Sequence, residues 1–168
     1  EKGARKQMIP TLITPPVAMP VTLAEAKAHC RVDGSEDDAV LSALIAGAVG
    51  HLDGWSGVLG RCIMPQTWRV TAAAGDVVLP FPDVTGATFG GDALTVTQCA
   101  LGPVVTLAED GDVTFTCAMP AHLLATARVA VLLLVGHWYA NRETVGANMA
   151  EVPMAAAMLI DQMRWRRI

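Results

Sequence analysis

A chain of 168 residues can bury a real core in one domain, with room for a sub-domain. Hydrophobic residues make up 52% of it, mean hydropathy is +0.41, and only 17% of residues are charged against roughly 25% in ordinary soluble domains, so the extra apolar surface has to be covered by other subunits or by lipid. Formal net charge is −4, but setting aside Lys2, Arg5 and Lys6 with Glu1 at one end and Arg164, Arg166 and Arg167 at the other leaves a body with 6 basic and 15 acidic residues, a net of −9. Such a body excludes a tight grip on duplex DNA, whose affinity comes from cations meeting phosphates. It suits a conduit that must not hold its cargo, and equally an ordinary solubilising surface.

Residues 1–7 read as an upstream extension and are assigned no function. From Ile9 to Pro20 the chain carries Pro10, Pro15, Pro16 and Pro20, which exclude helix and favour an extended, partly polyproline arm that would lie on a neighbour. Thr22 followed by Glu25 is a capping box that starts a first helix. A second helix is predicted from Ser35 or Glu36, with Asp37 and Asp38 in the first turn at the positive end of its dipole. Val40, Leu41, Leu44, Ile45, Ala48, Val49, Leu52 and Trp55 recur at three- and four-residue steps along one buried face, and Gly57 ends the helix.

Short Val-, Thr- and Leu-rich strands are predicted over Ile63–Thr71, Asp76–Leu79, Leu94–Gln98, Val104–Ala108 and Asp112–Cys117. Gly75-Asp76, Pro82-Asp83, Gly90-Gly91-Asp92 and Glu109 to Asp112 supply the turns, giving one small antiparallel sheet inserted between helices. Pro120 sits in the first turn of a helix predicted to run to about Glu143, roughly 34 Å long and apolar all round in its middle, hence central. Its longest apolar run, Val129 to Gly136 between Arg128 and His137, is far short of the roughly 20 residues that span a bilayer, which favours burial in an assembly. Gly146 and Asn148 break this helix, and Pro153 opens a last one that ends in Met163-Arg164-Trp165-Arg166-Arg167-Ile168.

The fold class this implies is α+β, mainly α: a helical bundle with an inserted small antiparallel β-sheet and extended terminal arms. Residues 1–20 form the N-terminal arm, 21–62 the helical part of the core and 63–118 the inserted β sub-domain. Residues 119–152 form the long central helix with a loop, and 153–168 a C-terminal helix and docking arm.

Catalysis finds no support. Ser56 in Gly54-Trp55-Ser56-Gly57 is followed two residues on by Val58, where a nucleophile elbow needs glycine. Glu36, Asp37 and Asp38 are explained by the helix dipole, and Glu109 to Asp112 lacks the spaced ligands and closing glutamate of a calcium loop. His29, His51, His122 and His137 lie on separate elements; His137 and Arg142 suit the exposed carbonyls of a helix end. Cys30, Cys62, Cys99 and Cys117 stand 32, 37 and 18 positions apart with no close pair, so free core thiols are expected, in a chain made and assembled in a reducing cytoplasm. No metal and no cofactor is called for. The best interaction motif is Arg164-Trp165-Arg166-Arg167, rich in the residue types of binding hot spots; a frayed helix end or a DNA-backbone contact are its rivals.

Three blocks carry a family likeness. Pro20-Val21-Thr22-Leu23-Ala24-Glu25-Ala26-Lys27, continued by His29 and Arg31-Val32-Asp33, precedes an acidic helix start and a helix ending near Trp55-Ser56-Gly57. Pro65-Gln66-Thr67-Trp68 and Gly136-His137-Trp138-Tyr139-Ala140-Asn141-Arg142-Glu143 follow in order. This pattern resembles the head-tail connector (adaptor) proteins of long-tailed bacteriophages and of phage-derived gene transfer agents.

The resemblance implies a structural part of the particle neck, not an enzyme, assembled in the bacterial cytoplasm. About twelve copies would form a homo-oligomeric ring under the portal protein and extend the DNA channel, presenting a surface to a stopper or tail-terminator protein. DNA would pass without sequence-specific binding, and no membrane is involved. Met163, Arg164, Trp165, Arg166, Arg167 and Ile168 are the implied portal-docking residues. Pro10, Pro15, Pro16, Trp138, Tyr139 and Arg142 are the candidates for contacts between subunits. A stopper or tail terminator is the alternative within the neck, and a small helical ligand-binding domain or enzyme is the alternative outside it.

Overall fold

The structure, a computed structural model, describes residues 8–141 and 154–165. It contains four helices and eight strands among the described residues, about 36% helix and 27% strand, the α+β class read from the sequence. The chain divides into two compact units: one takes the strands (the N-terminal segment to Val17, and Pro65–Ala118), the other takes the helices (Ala18–Met64 and, among the described residues, Met119 to Trp165).

In the helical unit α1 (Leu23–Cys30) starts at the capping box: the Thr22 N–H donates to Glu25 Oε2 at 2.8 Å and the Glu25 N–H to Thr22 Oγ1 at 3.3 Å. It stops because Arg31 turns left-handed (φ 57°), which brings the Val32 N–H to the Lys27 carbonyl at 3.0 Å. The second helix, α2 (Asp38–Leu52), begins two or three residues later than the sequence suggests. Asp37 occupies its N-cap without a side-chain cap bond, because its carboxylate is engaged by Tyr139 instead. The helix also ends before Gly57, which belongs to the tight turn beyond it. A Cβ on Gly57 would fall 2.2 Å from the Asp53 carbonyl oxygen, so only glycine fits there.

The long helix α3 (Ala121–Ala140) packs against α1, α2 and α4 (Met154–Met163). Its buried side is Ala127, Ala130, Val131, Leu134 and Val135, and small residues there and at Ala26, Ala48 and Ala156 let the helices approach closely. Leu41, Ile45 and Leu52 of α2 and Ile160 and Met163 of α4 complete this core. The full helix, unlike its longest unbroken run, is long and apolar enough to cross a membrane by length and composition. Arg128 in its middle, ion-paired with Glu25 of α1, is a costly group for a lipid-facing span and fits protein packing better.

The strand unit holds two antiparallel sheets where the sequence suggested one. The larger has the order β1-β2-β8-β4-β5, built from β1 (Thr11–Thr14), β2 (Gln66–Ala72), β4 (Val84–Phe89), β5 (Asp92–Leu94) and β8 (Gly111–Cys117). The smaller has the order β3-β7-β6, built from β3 (Gly75–Val78), β6 (Thr97–Cys99) and β7 (Gly102–Leu107). Strand β4 was missed because it follows Pro82-Asp83 and contains Gly86, where its pairing with β8 shifts register, and a glycine in a strand marks such a bulge. Alternation along β2 buries Gln66, Trp68 and Val70, and Trp68, Phe81 and Phe115 stack with centroids 5.0 and 6.1 Å apart. Part of the proline arm is thus not a free extension: Thr11–Thr14 is an edge strand of this chain's own sheet, with Leu12 opposite Trp68.

The thiols also depart from expectation. Cys30 and Cys99 are free, but Cys62 and Cys117 are disulfide-bonded. Spacing along the chain tests for two ligands converging from one turn and says nothing of whether a cysteine forms a disulfide.

Candidate interaction surfaces

The described part of the C-terminal tip is fastened to its own unit. After Leu52 the chain folds back through residues 53–64, held by the Ile63 N–H donating to Asp53 Oδ1 at 2.6 Å and the Gly54 N–H donating to the Arg61 carbonyl at 2.8 Å. Onto this turn the end of α4 is laid. Arg61 Nε donates to the Met163 carbonyl at 2.7 Å, the Trp165 N–H to the Leu59 carbonyl at 2.8 Å, and Arg164 Nε to the Val58 carbonyl at 3.1 Å. The Arg61 guanidinium also lies 5.9 Å from the Trp165 ring centroid, within cation–π range. Arg61 was not singled out from sequence; an arginine two-thirds of a chain away from its partners gives no local signal.

These contacts sort the portal-docking candidates. Met163 is a core residue, 1% exposed, and its side chain offers nothing to a partner. Trp165 is half-buried against Arg61, and Arg164 is exposed. Arg166, Arg167 and Ile168 lie outside the described residues.

The subunit-contact candidates sort in the same way. Pro10 is buried, Pro16 half-buried and Pro15 exposed. Trp138 and Tyr139 are half-buried in the helical unit, where the Tyr139 hydroxyl donates to Asp37 Oδ2 at 2.5 Å and ties the end of α3 to the start of α2. Next to it Lys27 Nζ meets Asp38 Oδ1 at 2.7 Å, and Asn141 Nδ2 caps the helix by donating to the His137 carbonyl at 2.8 Å. Arg142 lies outside the described residues.

Hydrogen bonds from the Thr22 backbone N–H and hydroxyl, with Arg128 adding to them, hold the Glu25 carboxyl below its usual range against a small desolvation penalty. Burial pushes the Cys30 thiol up, which keeps it protonated and slow to react. No group of three His, Cys, Asp or Glu side chains that could hold a metal ion exists among the described residues. A concavity of about 650 Å³ is an open trough on the smaller sheet lined by Thr and Val side chains with Leu101, Cys99 and Asp76, and Asp76 already accepts from Thr106 at 2.7 Å. It lacks the convergent polar groups of a ligand site.

Residues 20–61 match the phage gp6-like head-tail connector protein family. The family likeness read from the sequence is therefore borne out, over α1, α2 and the turn that holds the C-terminal tip. Nearly the whole chain is similar in fold to a protein in solved structures of gene transfer agent (GTA) particles. In the neck of an empty GTA particle computed with C6 symmetry, identity is 18% and the TM-score 0.67, covering 96% of this chain and 97% of that one. The virion of the native GTA particle gives the same values, and the neck of the native particle computed with C12 symmetry gives 19% identity and a TM-score of 0.56. No curated protein matches in sequence. Beyond the connector match, the Gln66-Thr67-Trp68 block forms β2 and the His137-Trp138-Tyr139 block forms the end of α3, so both serve the fold of their own units.

Proposed function

We propose that this protein is the head-tail connector of a phage or gene-transfer-agent particle: a ring of about twelve copies under the portal that extends the DNA channel and joins the filled head to the tail. The observation that carries this reading is the connector match over residues 20–61 within a chain whose whole fold is similar to a GTA neck protein. The role is structural: the polar groups described above cap helices and fasten the tip. Its mechanism is geometric. A cyclic ring needs two different, complementary faces on each subunit, and its ends must meet unlike partners above and below.

We assign docking on the portal to Arg164, the exposed described residue of the tip, together with Arg166, Arg167 and Ile168. Truncation after Trp165 is the fitting test, since a cut after Asp161 would also remove core residue Met163. Particles carrying the shorter cut are expected to accumulate DNA-filled heads without tails, counted by electron microscopy. Normal tail joining by those particles would remove the docking role of the tip. A map of the particle neck with this subunit labelled decides the larger reading: density next to the portal supports it, and density confined to the far end of the tail overturns it.

A further inference from the structure

Ten large apolar side chains are exposed among the described residues, and eight of them fall in two places. Ile9, Leu12, Ile13, Val17 and Met19 lie on the proline arm, with Val17 fully exposed. Val129 of α3 and Met154 and Met158 of α4 make the second group. A shallow groove of about 260 Å³ runs between these two helices, lined by Ala125, Thr126, Val129 and Leu159. Ala155 and Met158 share a helix face with Leu159 and carry the apolar strip onward. The groove is smaller and more open than the 300–1,000 Å³ sites that enclose small ligands, so it fits side chains of another chain better than a metabolite.

The two places complement each other. No charged residue occurs from Met8 to Pro20, and none lines the groove, so neither surface would bury an unpaired charge on meeting the other. Pairing of β1 with β2 and the fixed backbone of Pro15 and Pro16 hold the arm extended before it docks, which lowers the ordering cost of docking. The arm and the groove are also different surfaces, which is what head-to-tail closure of a ring requires and what two copies of one patch could not provide.

We infer that the Ile9–Met19 arm of one copy lies in the α3–α4 groove of the next, with Val17 and Met158 in the contact. This rests on the ring reading proposed above. It gives each subunit one donor surface and one acceptor surface, so assembly propagates in one direction until the ring closes.

Cross-linking tests it in the full chain. Val17→Cys and Met158→Cys, both at exposed positions, are introduced together in a Cys30→Ser, Cys99→Ser background. Rings, isolated or in particle necks, are treated with a short bismaleimide and run on a denaturing gel. A ladder of multiples of the 17.6 kDa chain is expected, with each single-cysteine variant staying monomeric. Rings that form but give no ladder, or a position-158 cysteine that captures a different protein of the particle, overturn the arm-in-groove contact and leave the connector reading standing. Absence of rings both in solution and in necks overturns the connector reading, and this contact with it. Independently, Met158→Glu should raise the concentration for half-assembly roughly tenfold or more, the effect of losing a central apolar contact; an unchanged value counts against the contact.

Discussion

Glu25 shows how one side chain serves both local and tertiary structure, since it closes the capping box with Thr22 and also pairs with Arg128 of α3. Its carboxyl is held below the ordinary range by the Thr22 N–H first, then by the hydroxyl and Arg128. A depressed carboxyl stabilises in full above its unfolded pKa, and that share is lost as pH falls through its folded value. Glu25→Gln can keep the box but not the charge, so its thermal midpoint should lie below the parent's at neutral pH, and the gap should close on acidification. A gap constant with pH would show that the charge contributes nothing. Tyr139→Phe removes only the hydroxyl that reaches Asp37 and should cost about 1.5–3 kcal/mol in urea unfolding, the range for a hydrogen bond to a charged group.

At the scale of elements, α4 decides how the C-terminus is read. Ala156, Ile160 and Met163 sit on its buried face, so Met163→Ala should cost about 2–5 kcal/mol by opening a core cavity. Truncation after Trp165 should change stability by less than about 0.5 kcal/mol, as substitutions away from packed features do. Equal losses in the two variants would mean that the terminal residues also hold the fold. Strand β1 makes a parallel point about the other end: its pairing with β2 fixes where the arm leaves the sheet, and its four residues remain exposed.

At the scale of the whole molecule, the acidic body bears on the proposed channel role, which requires that the protein not hold DNA. Purified protein at roughly 0.15 M salt should not retain duplex DNA on a filter, because few phosphates would be neutralised. Retention that falls steeply with added salt would show that the basic ends grip the backbone and would call for a different account of the channel.

What the sequence determined by itself is what short-range physics writes into adjacent residues. The capping box of α1, the apolar period of α2, the class of the fold and the connector likeness of residues 20–61 were all legible there. The second sheet, strand β4, the disulfide-bonded state of Cys62 and Cys117 and the seat of Met163 and Trp165 on the turn after α2 were decided only in three dimensions. Each depends on partners distant in sequence: β8 closes on both β2 and β4, and Arg61 reaches a carbonyl 102 residues away. A chain read locally carries no record of such pairings, which are selected by the total burial they allow rather than by any one segment's preference.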